Sequence, residues 1–374
     1  MPDKHALLSA SSSHRWMHCP PSIRLGEKFE NKSSDYAQQG TEAHSLCEYK
    51  LKAALGRRAR DPTKKLSFYD KEMESCANNY AEYVLEQLAE AKESCADPLV
   101  LIEQRVDFSH YVKEGFGTAD CVIVADKLLQ VIDYKHGQGV LVEAEENPQM
   151  MCYALGALNL FADLYDIEEI RMTIFQPRRD NVSTYKISKE DLWLWAENVL
   201  TPAATLAYAG EGDFSCGDWC RFCNAKHVCR KRMEYNMQLA QYDFKAPDIL
   251  ADEEIEVVLS KVEELVSWAA DVKEYALQLA LRGKAWSGWK LVEGRSVRKY
   301  TDAEAVAMAV KSAGYNPFEE KILGITAMTA VLGKKNFEEI VGAFIERPQG
   351  KPTLVPMADK RPALSTAQED FSEN

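Results

Sequence analysis

No stretch of about 18 consecutive apolar residues occurs in this 374-residue chain, which excludes a membrane-spanning helix. The opening Met1-Pro-Asp-Lys-His5 has no apolar segment of the secretory kind, so we expect a chain that stays in the cytosol. Positive charge is also in short supply. Lys and Arg number 45 against 58 Asp and Glu, a formal net charge of −13. A protein that coats nucleic acid indiscriminately is usually basic, so any nucleic-acid contact here should be confined to a local groove. An acidic body with such a groove fits an enzyme better than a coating protein. Internal repeats and low-complexity tracts are missing too. What remains is an ordinary globular composition long enough for two or three domains.

Cysteine, by contrast, is plentiful, with ten in the chain. In a cytosolic protein these are thiols, ligands or catalysts rather than disulfides. Four fall within fourteen residues, Cys216, Cys220, Cys223 and Cys229, which is a metal signal. Two metal readings stand open. All four can close a tetrahedral zinc site. Alternatively Cys220, Cys223 and Cys229 hold an iron–sulfur cluster whose fourth thiolate lies elsewhere. Cys19, just before Pro20 and Pro21, reads by itself as a buried thiol.

The stretch from Gly115 to Gly139 organises the rest. The apolar runs Cys121–Val124 and Leu128–Ile132 flank a turn at Ala125-Asp126-Lys127, a β-hairpin pattern. Asp120 enters the first strand, Asp133 leaves the second, and Lys135 follows at i+2 on the same face. Two carboxylates and an ammonium at one end of a hairpin suit a hard metal ion and a phosphate. A strand over 99–106 precedes the hairpin. Its Glu103 is either a third acid near the site or an ordinary edge residue.

Helices are predicted over 40–55, with Thr41 as cap, and over 69–95. On the first, His44 and Glu48 share a face and alone would read as a surface pair. The basic connection Arg57, Arg58, Arg60, Lys64 and Lys65 reads as solvated loop or phosphate contact. A helix over 145–158 has Pro148 near its first turn. Gln149 and Tyr153 share one of its faces, where Tyr is more often packing than recognition. A strand over 170–176, helical structure over 191–208 and a long amphipathic helix over 252–281 follow. A small hairpin is predicted over 286–300, a helix from the Thr301–Glu304 capping box, and short helices near 326–332 and 337–345. The last residues, 358–374, have a disordered composition.

Taken in order, these motifs resemble a known family. They are Gly40, Thr41 and His44 on a helix, Gly117 and Asp120 before a strand, Asp133 and Lys135 on the next strand, and Gln149 and Tyr153 on the following helix. The order is that of the PD-(D/E)XK nuclease superfamily in its RecB/AddB-like branch. The early Cys-Pro and late CxxCx5C resemble its iron–sulfur subgroup. Asn147-Pro148-Gln149 and Tyr153–Leu158 are similar to a family found in phage and prophage replication modules. The nuclease resemblance covers about residues 8–235.

The resemblance implies an α/β (α+β) restriction-endonuclease-like core over 1–240, with a mixed central sheet flanked by helices. A mainly helical region over 245–357 and the tail over 358–374 would follow. It implies a metal-dependent DNA exonuclease or related nuclease, acting in phage replication or recombination in the bacterial cytosol. Asp120, Asp133, the Tyr134 carbonyl and His44 would hold Mg²⁺ or Mn²⁺. Lys135 would orient water and offset charge, and Gln149 and Tyr153 would hold DNA or brace Lys135. Cys19, Cys220, Cys223 and Cys229 would bind a structural 4Fe-4S cluster, with zinc as the alternative. DNA is the implied substrate, and single-strand-binding, polymerase or helicase proteins the implied partners. A non-catalytic DNA-binding or scaffold protein on the same fold is the competing reading. A zinc-stapled adaptor acting through its long helix is a third.

Overall fold

The computed structural model describes residues 6–30, 35–238, 251–292, 301–314, 316–318, 322 and 324–345. The chain forms two compact units, Met1–Leu291 and Val292–Asn374. The long helix at 252–281 falls within the first of these units.

A five-stranded mixed sheet, in the order β1-β2-β3-β4-β5, forms the centre of that unit. Its strands are β1 (Leu99–Asp107), β2 (Phe116–Ala125), β3 (Leu128–Tyr134), β4 (Glu169–Gln176) and β5 (Asn181–Ser188). Neighbours are antiparallel except β3 and β4, which are parallel. A parallel pair needs a crossover. Here it includes the helix Pro148–Phe161, numbered α5 below. The predicted β2–β3 hairpin is present, and Lys127 takes the positive φ of 64° that its tight turn requires. Strand β5 was not anticipated. Its exposed side alternates polar residues along an edge, leaving a weak apolar pattern.

Helices cover both faces of the sheet. On one lie α3 (Asp35–Ala54) and α4 (Lys71–Ser94), packed over Cys121, Ile123, Ile132 and Phe175. Helix α3 begins before Thr41. The Thr41 hydroxyl bonds back to the Ala37 carbonyl, so Thr41 is an interior residue and not a cap. The cap of α4 is Asp70, which accepts from the Met73 N–H. The other face holds α1 (Ser13–His18), α2 (Ser22–Gly26) and α5, which is buried continuously from Met150 to Leu158. Asn147 caps α5 and Pro148 occupies its first turn. Gly156 lets α5 lie against β1. A Cβ there would stand 2.8 Å from Val106 Cβ and 3.0 Å from the Asp107 nitrogen.

The helical stretch expected at 191–208 is divided into α6 (Lys189–Trp195), a π turn (Ala196–Leu200) and α7 (Thr201–Ala209). Pro202 explains the division, since it offers no N–H to the preceding turn. Helix α8 (Arg230–Met237) and the 30-residue α9 (Asp252–Leu281) follow among the described residues of the first unit. Among the described residues of the second unit are α10 (Ala303–Ser312), α11 (Ile325–Leu332) and α12 (Lys334–Val341), so this region is mainly helical as expected. Asp302, rather than Thr301, caps α10. Residues 286–292, the first half of the hairpin expected at 286–300, form no strand; its turn and whole second strand, and the whole tail 358–374, lie outside the described residues. No helix among the described residues is long and apolar enough to cross a membrane.

Candidate metal centre and cysteine pocket

A break in strand alternation creates the first site. In β1, Leu99 and Leu101 face the α5 layer, while Val100 and Ile102 face α3 and α4. Beyond Glu103 the order reverses, because Val106 again faces α5. In β2, Val122 and Val124 face α5 and Cys121 and Ile123 face α3 and α4, yet Ala119 also faces α5. Both strands therefore slip by one residue at the same level, with regular pairing on either side, Ile102 to Cys121 and Gln104 to Ala119. Glu103 carries the distortion with a φ of +52°, a region a non-glycine residue adopts only when its surroundings enforce it. The slip frees Glu103 and Asp120 from the two packed faces.

His44 reaches this point from the middle of α3. Its Nδ1 lies 3.1 Å from Asp120 Oδ1, and its ring stands edge-on to Tyr134 at 5.5 Å. Glu48 pairs with Lys52 instead of His44. Ligand atoms of His44, Glu103 and Asp120 all lie within 4.8 Å of one another. Asp120 Oδ2 accepts the Tyr134 N–H at 2.7 Å. Tyr134 thus meets the site through its backbone, while its hydroxyl bonds His136 at 2.7 Å in the core.

Asp133 is the cross-strand neighbour of Asp120, one step beyond the paired Cys121 and Ile132. It belongs to an adjoining group on the α5 side. Lys135 Nζ pairs with Asp133 Oδ2 at 2.8 Å, an oxygen otherwise without a hydrogen-bond partner. The Gln149 side chain joins three residues. Its Nε2 donates to Asp133 Oδ1 and to the Tyr153 hydroxyl, and its Oε1 accepts from Lys135 Nζ. Gly117 makes room for this arrangement, since a Cβ there would stand 2.6 Å from Tyr153 Cε1. Of the expected ligands His44, Asp120, Asp133 and Tyr134, the first two stand together in a close triad. The close triad takes Glu103 as its third member, and Asp133 stands beside it with Lys135 and Gln149.

The charges of these groups are strongly coupled. Burial alone would push His44 down, but the Asp120 carboxylate lifts it to about 9. Burial opposes ionisation of Asp120 as well, yet His44 and the Tyr134 N–H hold it below the usual range. Burial raises Asp133; the Asp120 charge adds to this and Lys135 opposes it. Burial and then Asp120 push Glu103 up to about 7. Crowded carboxylates of this kind gain most when a cation neutralises them. Carboxylate oxygens and one imidazole suit Mg²⁺ or Mn²⁺, the imidazole favouring Mn²⁺.

The cysteines form a second site. Cys19, Cys220, Cys223 and Cys229 line one pocket, although Cys19 lies some 200 residues from the others. The fifth thiol, Cys216, is 3.7 Å from Cys220 but does not line the pocket. The thiol contact from Cys216 lowers Cys220 to about 7, while burial raises Cys19 and Cys223. Thiolates around one tetrahedral zinc, with Zn–S near ~2.3 Å, stand less than about 4 Å apart. Among the described residues no three cysteines come within 4.8 Å of one another. The donor set is all sulfur, which suits a soft ion such as zinc or an iron–sulfur cluster.

Sequence reasoning left Glu103 undecided and missed Arg15, Lys226 and Arg232, which also line the cysteine pocket. The sequence carries no signal for the slip, because the run 99–102 is apolar on both faces and Val106 and Phe108 alternate in phase with Val100 and Ile102. The solved structure of SSO0001 is 14% identical, spans 50% of this chain and 95% of its own, and superposes with a TM-score of 0.22. A family model described as a protein of unknown function, DUF2800, matches residues 5–362. That match takes in both sites and most of the second unit, so the chain belongs to the DUF2800 family.

Proposed function

We propose that the protein is a divalent-cation-dependent DNA nuclease, an exonuclease of the PD-(D/E)XK type, acting in phage or prophage DNA replication or recombination in the host cytosol. The observation that carries this reading is the adjacency of His44, Glu103 and Asp120 to Asp133, Lys135 and Gln149 at one level of the sheet. An imidazole, three carboxylates and an ammonium, all brought together by β1–β3 and two helices, match what phosphodiester hydrolysis needs. Mg²⁺ or Mn²⁺ bound there would activate water and offset charge on the phosphate.

The chain's own residues divide the remaining work. His44, Glu103 and Asp120 supply ligands, with Asp133 and the Tyr134 carbonyl adjoining. Lys135 presents its ammonium toward the attacked phosphate and orients water. Gln149 fixes Lys135 and Asp133 relative to each other, and Tyr153 fixes Gln149. Arg57, Arg58, Arg60, Lys64 and Lys65 are exposed on the α3–α4 connection and supply local positive charge for a DNA backbone on an otherwise acidic protein. Cys19, Cys220, Cys223 and Cys229 hold a structural 4Fe-4S cluster that ties residue 19 to the end of the domain.

The test is release of nucleotides from end-labelled single- and double-stranded DNA by anaerobically purified protein. Cleavage should require Mg²⁺ or Mn²⁺, stop with chelator, and be lost in Lys135→Ala with the fold intact. If wild type and Lys135→Ala both bind DNA and are equally inert with Mn²⁺, the scaffold reading replaces this one.

A further inference from the structure

The cysteine pocket has a wall of cations that the proposed cluster alone does not explain. Arg232, on α8, is fully buried. Its Nε pairs with Glu264 at 2.5 Å and its Nη1 with Asp271 at 2.6 Å, both on α9. Its Nη2 is buried without a hydrogen-bond partner, an arrangement that costs stability unless something anionic lies nearby. Lys226 Nζ pairs with the other oxygen of Asp271 at 2.8 Å, and the Lys226 carbonyl accepts from Arg232. Between Cys223 and Cys229, His227 packs on Tyr275 of α9 with ring centres 4.1 Å apart. Glu264, Asp271 and Tyr275 lie at i, i+7 and i+11, on one face of α9. That face thus docks on the segment that Cys223 and Cys229 pin down. By contrast α9 has no buried residue of its own, so apolar burial contributes little to its attachment.

We propose that the cysteine site is a latch for α9: the group bound by Cys19, Cys220, Cys223 and Cys229 orders the 220–232 segment, and Lys226, His227 and Arg232 of that segment hold the long helix. This rests on the reading of those cysteines as ligands. A thiolate-bound metal group is net negative, which gives Arg232 Nη2 and the neighbouring Arg15 an anionic partner. Emptying the site removes both the fold of the loop and the charge that keeps the guanidinium buried. Helix α9 is then released while the sheet, whose core is made elsewhere, persists.

Hydrogen–deuterium exchange on the full chain tests this, with iron and zinc content measured on the same samples. In the metal-loaded protein, amides of α9 near Glu264 to Tyr275 should be protected. Removing the metal should speed their exchange at least about tenfold, as expected when buried ion pairs are broken, with β2 and β3 unchanged. Arg232→Met should release α9 in the same way while keeping the metal, which separates the latch from general unfolding. If metal is bound but neither its removal nor Arg232→Met alters exchange in α9, the latch is wrong and the cysteine reading survives. A protein that takes up neither iron nor zinc overturns both.

Discussion

Cation binding at the His44–Glu103–Asp120 triad must compete with protons, and the structure fixes how steeply. Without a cation, His44 titrates at about 9 and Glu103 at about 7. A cation needs the neutral imidazole and the ionised carboxylate, so binding at neutral pH expels protons. Around pH 7, His44 is almost fully protonated and Glu103 about half, which weakens binding roughly 200-fold relative to high pH. From about pH 6 to about pH 8 the affinity for Mn²⁺ should rise roughly 10³-fold. In Glu103→Gln only the His44 proton remains, so the same interval should give roughly 90-fold, from a weaker starting affinity. Isothermal titration calorimetry with Mn²⁺ across this range, in buffers of different ionisation enthalpy, measures both the affinity and the protons released. An affinity flat between pH 6 and 8, with no proton release, would refute the reasoning. A slope unchanged in Glu103→Gln would remove Glu103 from the ligand set.

The same two groups make the cation-free protein less stable as pH rises, while His136, pushed down to about 4 by burial, and Cys220, lowered to about 7 by the Cys216 contact, act in the opposite sense. His44 is raised above its ordinary 6.5, so its contribution is full below that value and lost as pH rises through about 9. Glu103 is an acid raised to about 7, so its ionisation costs stability over the window above the usual carboxylate range. Relative to a His44→Gln/Glu103→Gln variant, melting of the cation-free wild type should therefore fall from pH 5 to 9, and saturating Mn²⁺ should reverse much of that difference. Gly156→Ala forces a Cβ against the backbone of β1 and should cost about 1–3 kcal/mol in denaturant unfolding. Gly117→Ala drives Tyr153 off its site; catalytic rate should drop more than DNA affinity, and equal losses would count against the Gln149–Tyr153 brace. Cys19→Ser should lose bound iron and its absorbance near 400 nm, whereas Cys216→Ser should keep both. Zinc in place of iron, lost in Cys216→Ser, would restore the zinc reading with Cys216 as ligand.

Much of the fold was legible because the β2–β3 hairpin, α4, α5 and α9 announce themselves through strong local signals. These are the turn at Ala125-Asp126-Lys127 between apolar runs, Pro148 near a helix start, and a sustained apolar stripe. Edge strand β5 was missed because one of its sides is polar, and Thr41 was mistaken for a cap because α3 begins earlier. At the candidate site, spacing puts Asp133 with Lys135 on one strand face and Gln149 with Tyr153 on one helix face, while the expectation that the two pairs act together came only from the resemblance. Glu103 follows from neither, because a strand slip that swaps faces is a tertiary event, enforced by the partner strand's slip at Asp120. Arg232 was invisible for a related reason. A single Arg in a charged helix looks solvated until Glu264 and Asp271, more than thirty residues away, enclose it.

Crystals soaked with Mn²⁺ and read by anomalous scattering would locate the cation itself. The account predicts a peak within coordination distance of the Asp120 carboxylate, flanked by His44 and Glu103 and facing Asp133 and Lys135. A manganese peak elsewhere in the protein, with Asp120 still bonded to His44 and no density between them, would contradict it.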